Sequence, residues 1–256
     1  LKKENRLIFS DVPANTKYSW KEKEGLKIYE KPSNFSNGNM LDKDGNLISA
    51  RHDRKVVRIS SNGKTEIIAD TYKNKKLNSP NDLTLHKDGS IYFTDPHFGL
   101  IGYGPQKAKE EQSHRGIYRL DTKGNLSRVG QELGIPNGLS FSPDYKTLYI
   151  SNTVDGNIYK YDVIENGELR NLRLFIAQPV PQGKKPVGDG LKVDKEGNIY
   201  AASAFGISVY SPKGAYLGSI TLHNSASNVN FGGIDNKMLF ITAHDKVYRI
   251  KTLIGQ

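Results

Sequence analysis

The sequence predicts an all-β chain of the six-bladed β-propeller class. Three observations carry that expectation. Short strand-like segments recur in three distinct types, polar turns separate them, and no amphipathic helix competes. The first type is "RLIFSD" (6–11), "NLISAR" (46–51), "SIYFTD" (90–95), "TLYISN" (147–152), "NIYAAS" (198–203) and "MLFITA" (238–243). The second is "KYSW", "KVVRI", "GIYRL", "NIYKY", "GISVY" and "KVYRI", each following one member of the first. Both alternate polar with apolar or β-branched residues, as half-buried strands do. Units of 40 to 50 residues with three or four strands each are the signature of propeller blades.

The turns are as regular as the strands. Asp44-Gly45, Asp88-Gly89 and Glu196-Gly197 precede members of the first strand type, and such dipeptides favour tight hairpins. The best helical candidate, "KAKEEQSHR" (107–115), is too short and polar to cover a core. The expectation is a single domain over residues 1–256.

A third segment type precedes each turn, and here only five copies are present. They are "NGNMLD" from Asn37, "NDLTLH" from Asn81, "NGLSFS" from Asn137, "DGLKVD" from Asp189 and "NVNFGG" from Asn228. These read as innermost strands. Counting back from Ile8 by the same interval places the sixth copy upstream of Leu1. The truncated first blade is thus an expectation of the repeat count. In a propeller the inner strands begin at one mouth of the channel, so the five Asn and Asp residues should ring one axis. Asn-Gly and Asp-Gly also simply shape turns, and that reading stays open for Asn37 and Asn228. Carboxamide and carboxylate oxygens converging on an axis would suit a hard cation.

Composition narrows the partners. Lys plus Arg exceed Asp plus Glu by 37 to 27, but the basic residues are scattered, which describes a solvated surface and not a nucleic-acid patch. No apolar run approaches the length of a membrane span, so neither nucleic acid nor membrane is expected. There is no cysteine, which excludes disulfides and thiolate metal sites. No signal peptide is visible, and compartment and oligomeric state stay open.

"RLIFSDVPANTKYSW", "NSPNDLTLHKDGSIYFTDP", "GIPNGLSFSPDYKTLYISN" and "VGDGLKVDKEGNIYAAS" together resemble the gluconolactonase or SMP-30/regucalcin-like sugar lactonase family. That resemblance implies a six-bladed propeller with one divalent metal ion. It implies metal ligation by Asn137 and Asp189, Asp189 as the catalytic base, and Asn81 close to substrate. The family's third ligand is a Glu opening the first inner strand, which is the copy absent here. Calcium is the favoured ion, with magnesium, manganese, zinc and iron as alternatives. The implied substrate is a small sugar lactone hydrolysed to the aldonic acid. Hydrolysis of other lactones or esters, and a non-enzymatic propeller binding a ligand at its mouth, are the competing readings.

Among the six histidines, His52 and His97 stand where strands leave towards the same mouth, and either could contact a sugar hydroxyl or merely pack. His114 and His244 read as surface residues, and His86 and His223 as ordinary strand positions. From Asp95 to Tyr118 the third blade takes 23 residues where Asp11 to Tyr18 takes seven. Long loops of this kind are commonly functional. The insertion is expected to line the substrate pocket, with Phe98 and Tyr103 as stacking faces.

Overall fold

The computed structural model describes residues 5–256. The chain clusters into two compact units, Leu1–Leu133 and Gly134–Gln256, each carrying three antiparallel sheets in chain order. Six sheets of this kind are the blades of a six-bladed β-propeller. No helix among the described residues is long and apolar enough to cross a membrane.

In the first unit the first blade has strands Leu7–Asp11, Thr16–Lys21 and Gly25–Glu30. The second has Ser36–Leu41, Leu47–Arg51, Lys55–Ile59 and Thr65–Ala69. The third has Leu83–Leu85, Ile91–Thr94, Ile117–Leu120 and Leu126–Gly130. A ribbon of Thr71–Tyr72 and Lys75–Lys76 joins the last two. Every one of the expected strands of this unit forms. The inner strand expected for the first blade falls outside the described residues.

In the second unit the blades are Pro136–Phe141, Thr147–Asn152, Ile158–Val163 and Leu169–Ile176; Leu191–Val193, Ile199–Ser203, Gly206–Tyr210 and Tyr216–Thr221; and Asn228–Gly232, Met238–Ala243 and Lys246–Lys251. Five outer strands, such as Gly25–Glu30 and Tyr216–Thr221, were not among the expected segments. Their side chains are mostly exposed, so no apolar periodicity marks them.

The core lies between faces of adjacent blades. Ile48, Val56, Leu83, Phe93 and Tyr118 form one buried cluster in the first unit. In the second unit Ile158, Leu191 and Ile199 form another, and Ile207, Val229 and Ile241 a third. Side chains alternate between the two faces of a strand, and where both faces are covered, as in Leu47–Arg51 and Ile199–Ser203, every residue is buried.

The expected tight hairpins form, with antiparallel strands on either side of the turns at Gly45, Gly89 and Gly197. Gly45, Gly89 and Gly197 are left-handed (φ 83, 89 and 86°), whereas a two-residue type I′ turn needs positive φ at both central positions. At Gly45, Gly124 and Gly197 the repeated unit is a pentapeptide, Asp-x-x-Gly-Asn, whereas Gly89 stands in His86-Lys87-Asp88-Gly89-Ser90. Asp42 Oδ1 accepts from the backbone N–H of Asp44 and Asn46, and its Oδ2 accepts from Asn46 Nδ2. Asp121 and Asp194 repeat the same three bonds at 2.8–2.9 Å. The aspartate shapes the turn and the glycine three residues on closes it. His86 and His223, expected within strands, lie just past Leu83–Leu85 and Tyr216–Thr221.

Candidate active site

The Asn-Gly and Asp-Gly pairs of the inner strands are not turns. Gly38, Gly138 and Gly190 do not have positive φ. They are glycines because the next inner strand occupies the space of a side chain. A Cβ on Gly38 would lie 2.7 Å from Asn81 O and 2.8 Å from Asp82 Cα. A Cβ on Gly138 would lie 2.5 Å from Asp189 O and 2.6 Å from Gly190 Cα. A Cβ on Gly190 would collide with the side chain of Asn228. Real side chains do not tolerate such distances. Each glycine therefore lets two inner strands begin side by side, which brings their opening Asn or Asp residues together.

In the second unit this pairs Asn137 with Asp189. Asn137 is buried and Asp189 half-buried. Gly138 N–H donates to Ser151 Oγ at 2.9 Å, and Ser151 Oγ donates to Asp189 O at 2.5 Å. One serine of the neighbouring strand thus staples both inner strands. Asn137 Nδ2 donates to Thr153 Oγ1 at 3.1 Å, and Thr153 Oγ1 donates to Gly188 O at 2.8 Å. Because Thr153 spends its proton on a carbonyl, it can only accept from Asn137. The amide end of Asn137 that faces away from Thr153 is consequently its oxygen. Asn228 opens the next inner strand, and its Oδ1 accepts from Val229 N–H.

Together, a carboxamide oxygen and a carboxylate would make a hard donor pair. It fits a divalent cation that takes oxygen ligands and keeps positions open for water or substrate. Among the described residues no group of three His, Cys, Asp or Glu side chains could hold a metal.

In the first unit Asn81 and His52 are both buried. Asn37 Nδ2 lies 2.6 Å from Asn81 Oδ1 and 3.4 Å from His52 Nε2, and His52 Nδ1 lies 2.9 Å from the carbonyl oxygen of Tyr103. Burial pushes the His52 imidazole down to about 4, so it is neutral at pH 7. The expected choice for His52 was between sugar contact and packing. Both of its ring nitrogens in fact face protein groups.

The 95–116 insertion contains a short irregular helical turn, Gly99–Tyr103, broken at Gly102 (φ 142°). It sits directly on this cluster. Gly99 N–H donates to Ser79 Oγ, which donates to Pro96 O, and a Cβ on Gly99 would lie 2.6 Å from His52 O. Tyr103 exposes about half its surface (52%). Phe98 is half-buried and stacks on the His97 ring at a centroid distance of 5.8 Å. His97 is half-buried, and burial lowers its pKa.

Beneath the insertion lies Asp95, which is fully buried. Its Oδ2 accepts from Asn78 N–H at 2.8 Å, while Oδ1 is buried without a partner. Burial pushes this carboxyl up to about 7. Ser79, Asp95, Ser151 and Thr153 were not singled out from sequence. Serine, threonine and aspartate occur throughout the strands, and only partners distant in the chain distinguish these four.

With this geometry in hand, the similarities to known proteins take on meaning. Residues 1–245 match the family described as SGL: SMP-30/Gluconolactonase/LRE-like region. A gluconolactonase of Zymomonas mobilis is 34% identical over 274 residues, spanning 98% of this chain and 76% of the relative. The lactonohydrolase oryL of Aspergillus oryzae is 30% identical over 74% of this chain, which spans about half (48%) of that relative's length. Among solved structures, the Xanthomonas campestris gluconolactonase XC5397 superposes with a TM-score of 0.89 at 34% identity, covering 98% of this chain and 83% of that one. Inner strands opening on Asn and Asp, the sheet order and these matches agree: the chain belongs to the SMP-30/gluconolactonase/LRE-like family of lactone-hydrolysing enzymes.

Proposed function

We propose that the 256 residues act as one domain that hydrolyses a sugar lactone to its aldonic acid, with one divalent ion held by Asn137 and Asp189. The observation that supports this reading is the Ser151 staple, which ties the backbone at Gly138 to the backbone of Asp189 and so holds together the chain segments that carry Asn137 and Asp189. Calcium is the favoured ion because both donors are hard oxygens.

When bound, such an ion supplies a Lewis acid for the lactone carbonyl. The remaining chemistry belongs to the chain. Asp189 accepts a proton from the attacking water as the new carbon–oxygen bond forms, and returns a proton to the ring oxygen as the ring bond breaks. Water is consumed and no covalent enzyme intermediate is needed. Asn137 holds its oxygen in place through Thr153. Asn81 contacts the substrate, with His97, Phe98 and Tyr103 as further contacts from the insertion, where aromatic faces suit a sugar ring. His52 acts on substrate through its neighbours.

The test is acid release from gluconolactone or xylonolactone followed by pH-stat, before and after chelation and on adding calcium, magnesium or manganese. Activity that falls on chelation and returns with one ion is expected, and Asp189→Ala should abolish it with the fold retained. Full activity in chelator, or in Asp189→Ala, would reject the assignment.

A further inference from the structure

The cluster of Tyr103, His52, Asn37 and Asn81 has a direction. A carbonyl oxygen can only accept, so His52 Nδ1, 2.9 Å from Tyr103 O, carries the proton. The ring is neutral, so Nε2 is bare and accepts. The Asn37 atom facing Nε2 must then be its nitrogen. The second proton of that nitrogen points to Asn81, whose facing atom must therefore be its oxygen, 2.6 Å away. Asn39 Nδ2 donates to Asn37 O at 2.7 Å, and Gly38 N–H donates to Asn81 O at 2.8 Å, so both backbones are pinned while the amides are oriented.

We propose that His52 and Asn37 are positioning residues whose hydrogen bonds, starting at the Tyr103 carbonyl of the insertion, force Asn81 to present its amide N–H₂ as a donor to the lactone oxygen. This rests on the lactonase reading above and assigns the chemistry of one of its contacts. The oxygen of Asn81 accepts from Asn37, which leaves the nitrogen as the end that can donate. Among the described residues of its own unit the Asn81 nitrogen has no acceptor. An N–H held towards a carbonyl oxygen favours the charge that develops there when water adds. The donor is preorganised because three groups in series fix it, and both His52 and Asn81 itself are almost fully buried (3% and 4% exposed). The relay also gives the insertion a second task. The main-chain carbonyl of Tyr103 sets the polarity, whatever the Tyr103 ring does.

Three variants separate this from a merely structural role. Asn81→Asp keeps the shape and replaces the donor by an acceptor. A fall in kcat/KM of about 100-fold or more is expected, with calcium affinity, read by calorimetry, not weakened and the melting temperature held. His52→Gln keeps an acceptor near the Nε2 position for Asn37 and gives up the bond to Tyr103. It should hold kcat within about threefold while KM rises as the insertion loosens, a loss of under 1 kcal/mol at the chemical step. His52→Asn keeps a donor at the Nδ1 position and gives up the acceptor for Asn37. It should lose kcat at least about tenfold at similar melting temperature. Equal losses in the two His52 variants, or an active Asn81→Asp enzyme, would overturn the relay.

Nitrogen-15 NMR of His52 provides a readout independent of turnover. A proton on Nδ1 and none on Nε2 at pH 7 is expected, and the opposite tautomer would refute the relay. If the wild-type protein released no acid from any lactone, the functional reading would fall while the tautomer still decided the relay.

Discussion

Ser151 Oγ sits 2.5 Å from the carbonyl oxygen of Asp189 and accepts from Gly138 N–H at 2.9 Å. A single hydroxyl thus satisfies a donor of one inner strand and an acceptor of the next. Ser151→Ala leaves both buried groups unmatched, at a cost of about 1–3 kcal/mol. Urea denaturation should show that loss. Calcium affinity should fall with it, since Asp189 and Asn137 then lose their common reference. Unchanged affinity would detach the staple from the metal site.

The inner-strand glycines are governed by space and the turn glycines by φ. Gly138→Ala places a methyl 2.5 Å from Asp189 O, and overpacking of this sort costs about 1–3 kcal/mol or more. Gly45 is left-handed with nothing within 4 Å of a new Cβ. Gly45→Ala should therefore cost only the backbone strain, about 1 kcal/mol. Melting curves of the two variants should rank in that order, and activity should fall only in Gly138→Ala.

Asp194 anchors an Asp-x-x-Gly-Asn turn by three hydrogen bonds of 2.8–2.9 Å and is almost fully buried. At about 0.5–1.5 kcal/mol for each bond, Asp194→Ala should lower the melting temperature by several degrees. The turn contributes no residue to the proposed site, so kcat/KM measured well below the transition should stay at the wild-type value.

Asp95 links pH to stability with a definite sign. Its folded-state pKa is raised to about 7 by burial, above the unfolded value near 3.9. Between those values the folded state holds the proton and the unfolded state has released it, so this group makes stability fall as pH rises. Above about pH 7 the full penalty applies. Asp95→Asn keeps an acceptor for Asn78 N–H and removes the charge. It should therefore gain stability relative to wild type between pH 4 and pH 7, with the gain levelling off above. Denaturant titrations at pH 5 and 8 measure this. An advantage that shrinks as pH rises would reverse the sign.

Bound metal should also stabilise the fold by mass action. At 100 times the dissociation constant the gain is about 2.7 kcal/mol. Calcium should raise the melting temperature of wild type and leave Asp189→Ala and Asn137→Ala unmoved. A shift that persists in both variants would place the ion elsewhere.

Much of this was legible in the chain. Strands alternate with a period of two, so Leu47–Arg51 and Met238–Ala243 stood out from residue types alone. Outer strands such as Gly25–Glu30 did not, because solvent on most sides removes the apolar signal. Asn137 and Asp189 were visible as the openings of repeated segments. Their neighbours Ser151 and Thr153 were not, since a hydroxyl has no sequence signature until its partner is known.

The sequence by itself determined the number of repeats and the order of the inner strand types within them, the recurrence of Asn and Asp before inner strands, and the long insertion after Asp95. These are local matters of periodicity, turn chemistry and count. Only the tertiary structure decided why glycine follows Asn37, Asn137 and Asp189, and which end of each amide is turned outward. Close approach between strands and the direction of a hydrogen bond both depend on atoms far apart in the chain. Residues 38 and 81 meet as a steric limit, and Tyr103 reaches Asn81 through His52 and Asn37.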